Sequence, residues 1–189
     1  MKMADDYDIY NRRMNIRFTI FQTEWGYFGL AGVENRLYAA VLPQKNADKT
    51  EKLLSAKVSL YENSTMEHDK NLFPVLKTQI IDYFSGKKVN FNYSGIVFPQ
   101  ELVSGFGGSV LRRCIDIKYG KTKTYGELAA AAGSAKAFRA AGGVLSKNLL
   151  PLIIPCHRVI RTDGSLGGFS ADGGVALKAR MLKLEVENR

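Results

Sequence analysis

Leu152-Ile153-Ile154-Pro155-Cys156-His157-Arg158 places a cysteine and a histidine side by side at the end of an aliphatic run. Such a run is expected to be buried, which puts the cysteine at the edge of a core next to a potential base. A thiol is a useful nucleophile only as thiolate, and a neighbouring histidine can accept its proton. Two other readings compete. A cysteine beside apolar residues commonly serves as a small buried hydrophobe, and Cys-His pairs also occur among metal ligands. Cys114 and His68 are the only other Cys or His, and neither stands at short ligand spacing. Tetrahedral zinc draws on clustered ligands, so metal is set aside, and the nucleophile reading needs support from the flanks.

Upstream, the chain reads as helical with short connections. Val110, Leu111, Cys114 and Ile115 recur at helical spacing, which makes Cys114 a core residue. Thr124 with Glu127 three residues later is a capping-box pattern and predicts a helix from Tyr125. Gly133-Ser134 turns the chain, Ser134 is placed to cap a second helix running towards Lys147, and two helices so tightly joined suggest a helix-turn-helix. Ala140-Ala141-Gly142-Gly143 gives that second helix a bare surface at a cost of about 1 kcal/mol per interior glycine relative to alanine. Packing on a neighbouring helix and close approach to a nucleic-acid backbone both account for it. Downstream, Leu177, Met181 and Leu184 form the inner stripe of a last helix, and Glu185, on spacing alone, reads as solvated.

Taken in order, these pieces form a pattern. Thr124-Tyr125-Gly126-Glu127-Leu128-Ala129, Phe138-Arg139-Ala140-Ala141-Gly142-Gly143, Asn148, the Pro-Cys-His-Arg segment, Gly167-Gly168-Phe169-Ser170, Lys178 and Glu185 closely resemble the O6-alkylguanine-DNA alkyltransferases, suicide DNA-repair proteins. The resemblance is strong from about Tyr119 to Glu185 and weak before that. It implies an α/β N-terminal domain over residues 1–98, a small antiparallel sheet with helices of ribonuclease H-like type. A mostly α, winged-helix-like domain with a helix-turn-helix over 99–189 would then bind DNA and accept the alkyl group.

The resemblance also implies residue roles. Cys156 takes the alkyl group from O6-alkylguanine, and from O4-alkylthymine, in double-stranded DNA. His157 removes the thiol proton through a water, Glu185 orients the imidazole, and Asn148 fixes the turn around the cysteine. Tyr125 assists extrusion of the base and can give a proton to the purine. Arg139 fills the gap that the flipped base leaves, and Ala140, Gly142 and Lys147 lie with it against DNA. Phe169, Ser170 and Val159 belong to the guanine pocket. No step regenerates the thiol, so the protein is used once, without cofactor or metal, as a monomer in the cytoplasm with the nucleoid. A non-catalytic lesion binder of the same fold usually has tryptophan in place of the cysteine, and a cysteine hydrolase would need an oxyanion hole.

The sequence departs from the family pattern in places. Ser104-Gly105-Phe106-Gly107-Gly108-Ser109 replaces a threonine-x-phenylalanine-glutamine helix entry and predicts a late start or altered packing there. Leu149 and Leu150 separate Asn148 from Pro151, Phe169 stands where tyrosine is common, and Ala171-Asp172 lengthens the next turn. Ligands for the zinc that some relatives carry in the first domain are missing.

Composition agrees with this picture. The 189 residues can bury a substantial core, no long apolar segment marks a leader or a membrane span, and two cysteines make no disulfide framework. Of 27 Lys or Arg and 18 acids, residues 99–189 hold 14 against 7, for +7, and residues 1–98 hold 13 against 11, for +2. The positive field thus lies in the half with Cys156, as phosphate attraction requires. In the first half, residues 17–22, 27–32 and 36–42 read as an antiparallel meander. Two helices follow, with inner faces Leu53, Leu54, Val58, Tyr61 and Val75, Leu76, Ile80, Tyr83, Phe84, the second ended by Gly86. Val89, Phe91 and Tyr93 suggest a further strand, and His68 and Trp25 read as loop and packing residues.

Overall fold

The computed structural model describes residues 14–61, 64–91, 93–94, 96–98 and 104–188. Strands β1 (Met14–Thr23), β2 (Gly26–Val33) and β3 (Arg36–Gln44) form the expected meander. Gly26 turns the first hairpin at φ +122°, and a Cβ there would lie 2.3 Å from the Gln44 carbonyl oxygen, so only glycine fits. The sheet is mixed rather than purely antiparallel. Strand β4 (Ser64–His68) pairs parallel to β1, giving the order β3-β2-β1-β4. His68, expected in a loop, ends this edge strand with its ring 5.3 Å from that of Phe18.

Helix α1 (Ala47–Val58) is capped by the Asn46 side chain, which accepts from the Lys49 amide at 2.9 Å. It covers one face of the sheet by packing Leu54 and Val58 on Ile16, Phe18, Ala31, Ala39 and Val41. The other face joins the main core. Helix α2 (Pro74–Phe84) brings Leu76, Ile80, Tyr83 and Phe84 to it, while Val75, expected to point inward, is 62% exposed. Val89, Phe91 and Tyr93 do not form a strand; Val89 is buried, and the two rings stack beside the core with centroids 6.2 Å apart.

The second half packs on that same core. Helix α3 (Gly105–Ile115) begins at once after Ser104, so the glycine-rich entry does not delay it, and a Cβ on Gly107 would meet Val144 at an ordinary 3.7 Å. Strand β5 (Lys123–Thr124) leads into helix α4 (Tyr125–Ala131), and both arms of the Thr124–Glu127 capping box are formed. Helix α5 (Phe138–Ser146) starts later than expected. Ala137 rather than Ser134 precedes it, so the connection is a six-residue turn over 132–137. A 3₁₀ turn at Cys156–Arg158 runs into β6 (Val159–Ile160), which pairs with β5, and α6 (Gly174–Glu187) closes the chain. One continuous apolar cluster joins Phe28, Leu30 and Tyr83 to Leu111, Leu128, Leu145, Ile153 and Met181. The expected boundary near Pro99 lies outside the described residues. Among those described, no helix is long and apolar enough to cross a membrane.

Candidate active site

The cysteine is held by the chain that precedes it. Asn148 accepts from the Leu150 amide at 2.9 Å, and its Nδ2 donates to the Ile154 carbonyl at 2.9 Å and to Cys156 Sγ at 3.2 Å. Leu152 turns this loop at φ +74°. The loop is pinned from the first half as well, because Tyr93 Oη donates to the Ile153 carbonyl at 2.8 Å and the Ala40 amide to that of Leu149 at 2.9 Å. Cys156, His157 and Arg158 are all buried.

On spacing alone Glu185 reads as solvated, whereas the fold puts it at the centre. It has no exposed surface. Its carboxylate meets His157 Nε2 at 2.8 Å and Arg158 Nε and Nη2 at 2.9–3.1 Å, and it accepts from Tyr83 Oη at 2.9 Å and from the Gly120 amide at 2.9 Å. Burial alone would push the carboxyl up, but the hydrogen bonds and charges of His157 and Arg158 outweigh it and hold the pKa at about 2. Glu185 is therefore an anion that accepts from Nε2–H. That tautomer leaves His157 Nδ1, which is buried and has no protein partner among the described residues, as the basic nitrogen.

Burial also decides the resting protonation of the other two groups. It holds the imidazole of His157 below its ordinary pKa despite the pull of Glu185. Burial likewise pushes the Cys156 thiol up, against the hydrogen bond from Asn148 and the ammonium groups of Lys178 and Lys57. The resting pair is thus thiol and neutral imidazole. A thiolate held by the adjacent histidine, the simplest expectation from sequence, is not the ground state, because a charge there would be desolvated.

Cys156 opens into a cavity of about 910 Å³ lined by Tyr125, Arg139, Gly142, Arg161, Phe169 and Ser170 among others. Tyr125 stands between helix and loop. A Cβ on Gly142 would be 3.7 Å from its ring, one on Gly167 would be 3.1 Å away, and Lys178 Nζ lies 5.8 Å from the ring centroid. Burial raises the Tyr125 hydroxyl pKa, so it stays a proton donor. Lys178, fully buried, donates to the Val159 carbonyl at 2.6 Å and to that of Leu166, and Ser170 Oγ donates to the Ser146 carbonyl at 2.8 Å; together these bonds set the loop over the cavity.

Three expected residues do not line this cavity. Val159 is fully buried beneath the cavity rather than in its wall, Ala140 is on the exposed side of α5, and Lys147 is exposed beside a smaller cavity. Arg139 is exposed at the rim, 5.6 Å from the centroid of the Phe138 ring, with no ion pair among the described residues. Gly143 has open space where a Cβ would be.

Residues 105–187 match the family model described as the 6-O-methylguanine DNA methyltransferase DNA-binding domain. A methylated-DNA--protein-cysteine methyltransferase of Methanosarcina acetivorans is 33% identical over 168 residues, 89% of this chain and 97% of that protein. The one from Methanosarcina barkeri is 38% identical over 120 residues, 64% of this chain and 72% of its own length. The chain belongs to the methylated-DNA--protein-cysteine methyltransferase family. Its fold also matches the crystal structure of Mycobacterium tuberculosis OGT in complex with DNA, at TM-score 0.69 and 25% identity over 90% of this chain and 93% of that one.

Sequence reading missed three members of the Glu185 network in this family member: Tyr83, Arg158 and the Gly120 amide. Arg158 was visible beside the histidine, as a cation adjoining apolar residues. Tyr83 carried no signal, since it sits on the inner face of a helix 102 positions before Glu185.

Proposed function

We propose that this protein repairs DNA by moving the alkyl group of O6-alkylguanine, and of O4-alkylthymine, irreversibly onto Cys156. The observation that carries the reading is the sulfur at the floor of a large cavity, backed by a neutral imidazole whose far nitrogen is tied to an ionised, fully bonded carboxylate. In the reaction the thiol proton passes through a water to His157 Nδ1. The sulfur forms its bond to the alkyl carbon as the carbon–O6 bond breaks, and the released electron pair stays on guanine, whose ring takes a proton from the Tyr125 hydroxyl. Glu185 holds the imidazole in the required tautomer and stabilises the imidazolium, as the carboxylate of a catalytic triad does. Asn148 stabilises the developing thiolate through its hydrogen bond to Sγ. Since thiol and imidazole rest neutral, charge develops only as the bond is made. The thioether is stable, so each molecule works once and needs no cofactor.

Access requires the base to leave the duplex. Arg139 takes its place in the stack, a role suited to a planar, permanently charged group with no ion pair among the described residues. Ala140, Gly142 and Lys147 lie along the DNA backbone, with Phe169 and Ser170 beside the purine and Val159 supporting them from below. The finer fold assignment belongs to the same reading: ribonuclease H-like over residues 1–98, and winged-helix-like with an α4–α5 helix-turn-helix over 99–189. So do action as a monomer and residence in a reducing cytoplasm with the nucleoid, which suits two free thiols.

Intact mass after incubation with a duplex carrying O6-methylguanine tests the function. One methyl gained per molecule, absent in Cys156→Ala, is expected. Unchanged mass with tight binding would mean a lesion binder, and steady ester hydrolysis by unmodified protein a thiol hydrolase.

A further inference from the structure

Cys156 borders a second cavity, of about 230 Å³, on the side away from α4. It is walled by Ala40 and Leu42 of β3, Leu53 and Lys57 of α1, and Pro151, and it shares Leu145, Ser146, Phe169 and Ser170 with the larger one, so the two meet at the sulfur. Leu53 and Lys57 are one helical turn apart and both half-buried. Lys57 has no hydrogen bond or ion pair from its ammonium group among the described residues, whereas Asp172, the acid on the same wall, is held by Lys49. Lys147, the other cation there, is exposed. A half-buried ammonium without a partner beside a reacting atom is poised for an anion.

We propose that this second cavity receives the substituent on the transferred carbon and that Lys57 makes it select alkyl groups carrying a carboxylate, of which carboxymethyl is the smallest. The inference rests on the alkyl-transfer reading and specifies its substrate class. In-line displacement puts sulfur, carbon and O6 on one line, so whatever else the carbon bears must project sideways, along the seam where the cavities meet. For O6-carboxymethylguanine the sulfur–carbon bond forms, the carbon–O6 bond breaks, guanine keeps the electron pair, and the carboxylate moves unchanged with its carbon to become S-carboxymethylcysteine beside Lys57. Burial lowers the pKa of Lys57 while proximity to Cys156 raises it, which agrees with an ammonium close to the sulfur.

Single-turnover rates on duplexes carrying O6-carboxymethylguanine, its neutral carbamoylmethyl isostere and O6-methylguanine test this. The carboxymethyl-to-carbamoylmethyl rate ratio is expected to fall about tenfold or more in Lys57→Met, as for loss of one hydrogen bond to a charged group, and to recover in Lys57→Arg. Because the ratio is taken within one protein preparation, a partly folded variant does not disturb it. An unchanged ratio overturns the proposal, as does equal slowing on all three adducts, which would assign Lys57 to thiolate stabilisation. Wild-type protein inert towards all three duplexes would instead refute alkyl transfer, and the inference with it.

Discussion

Glu185 and Arg139 are both charged, both in the second half of the chain and both tied by resemblance to the same reaction, yet their surroundings are opposite. Glu185 is sealed, with His157, Arg158, Tyr83 and the Gly120 amide around one carboxylate. Arg139 is exposed on α5, with its guanidinium 5.6 Å from the centroid of the Phe138 ring and no ion pair among the described residues. The contrast separates contacts completed inside the core from a charge with no ion pair among the described residues, which is what the proposed role of Arg139 on duplex DNA requires.

Glu185→Gln strikes the sealed side hardest. It leaves Arg158 buried without its counter-ion, and chemical denaturation should show a loss of about 3–5 kcal/mol. Transfer from free O6-benzylguanine, followed by the same variant's intact mass, should slow at least a hundredfold among molecules that remain folded; near-normal rates would remove Glu185 from the relay. Acid probes the same network without mutation. His157 has a folded pKa below 6.5, so its contribution is complete above that value and declines as the pH drops through it. Glu185, at about 2 against 4.5 for an ordinary carboxyl, adds about 3 kcal/mol above pH 4.5 that is lost as the pH falls towards 2. Denaturation midpoints should therefore fall steadily on acidification from pH 7, and a rise would contradict the neutral imidazole.

The open side should respond in the reverse manner. Arg139→Ala is expected to change stability by no more than about 0.5 kcal/mol, as exposed substitutions do. Repair of O6-methylguanine in duplex should nonetheless drop by more than tenfold relative to reaction with free O6-benzylguanine, and equal losses on both would refute the stacking role. The smallest effect belongs to Tyr83→Phe. It deletes one of several bonds to Glu185 and should cost about 1 kcal/mol in a denaturant titration.

The same contrast explains what could be read in advance. Cys156-His157, the Thr124–Glu127 cap and the α3 and α6 stripes are local patterns, legible because the residues that make up each one lie within a few positions of one another. Ser64–His68 was missed as a strand because it is an edge strand with mostly solvent-facing side chains, so no alternation of apolar residues marks it. The Tyr83 and Gly120 bonds to Glu185 depend on packing between distant segments, which no spacing encodes. Lys57 was invisible for a related reason: one lysine on an amphipathic helix is ordinary until β3 and the Phe169 loop close a cavity around it.

The two-residue pairing of β5 with β6 has a consequence for how this chain can vary. Lys123 meets Val159 and Thr124 meets Ile160, so the helix that begins at Tyr125 and the turn Cys156–Arg158 that runs into Val159 are held in register by this pairing. Since side chains in a strand alternate faces, a single inserted residue on either strand would turn Tyr125 or Cys156 away from the other. The exposed turn that follows lies outside this pairing and can change length at Gly164 and Ser165, beyond the cavity-lining Arg161, Thr162 and Asp163. Drift in length should therefore gather in that hairpin-like stretch, while the seam between the two strands keeps its count.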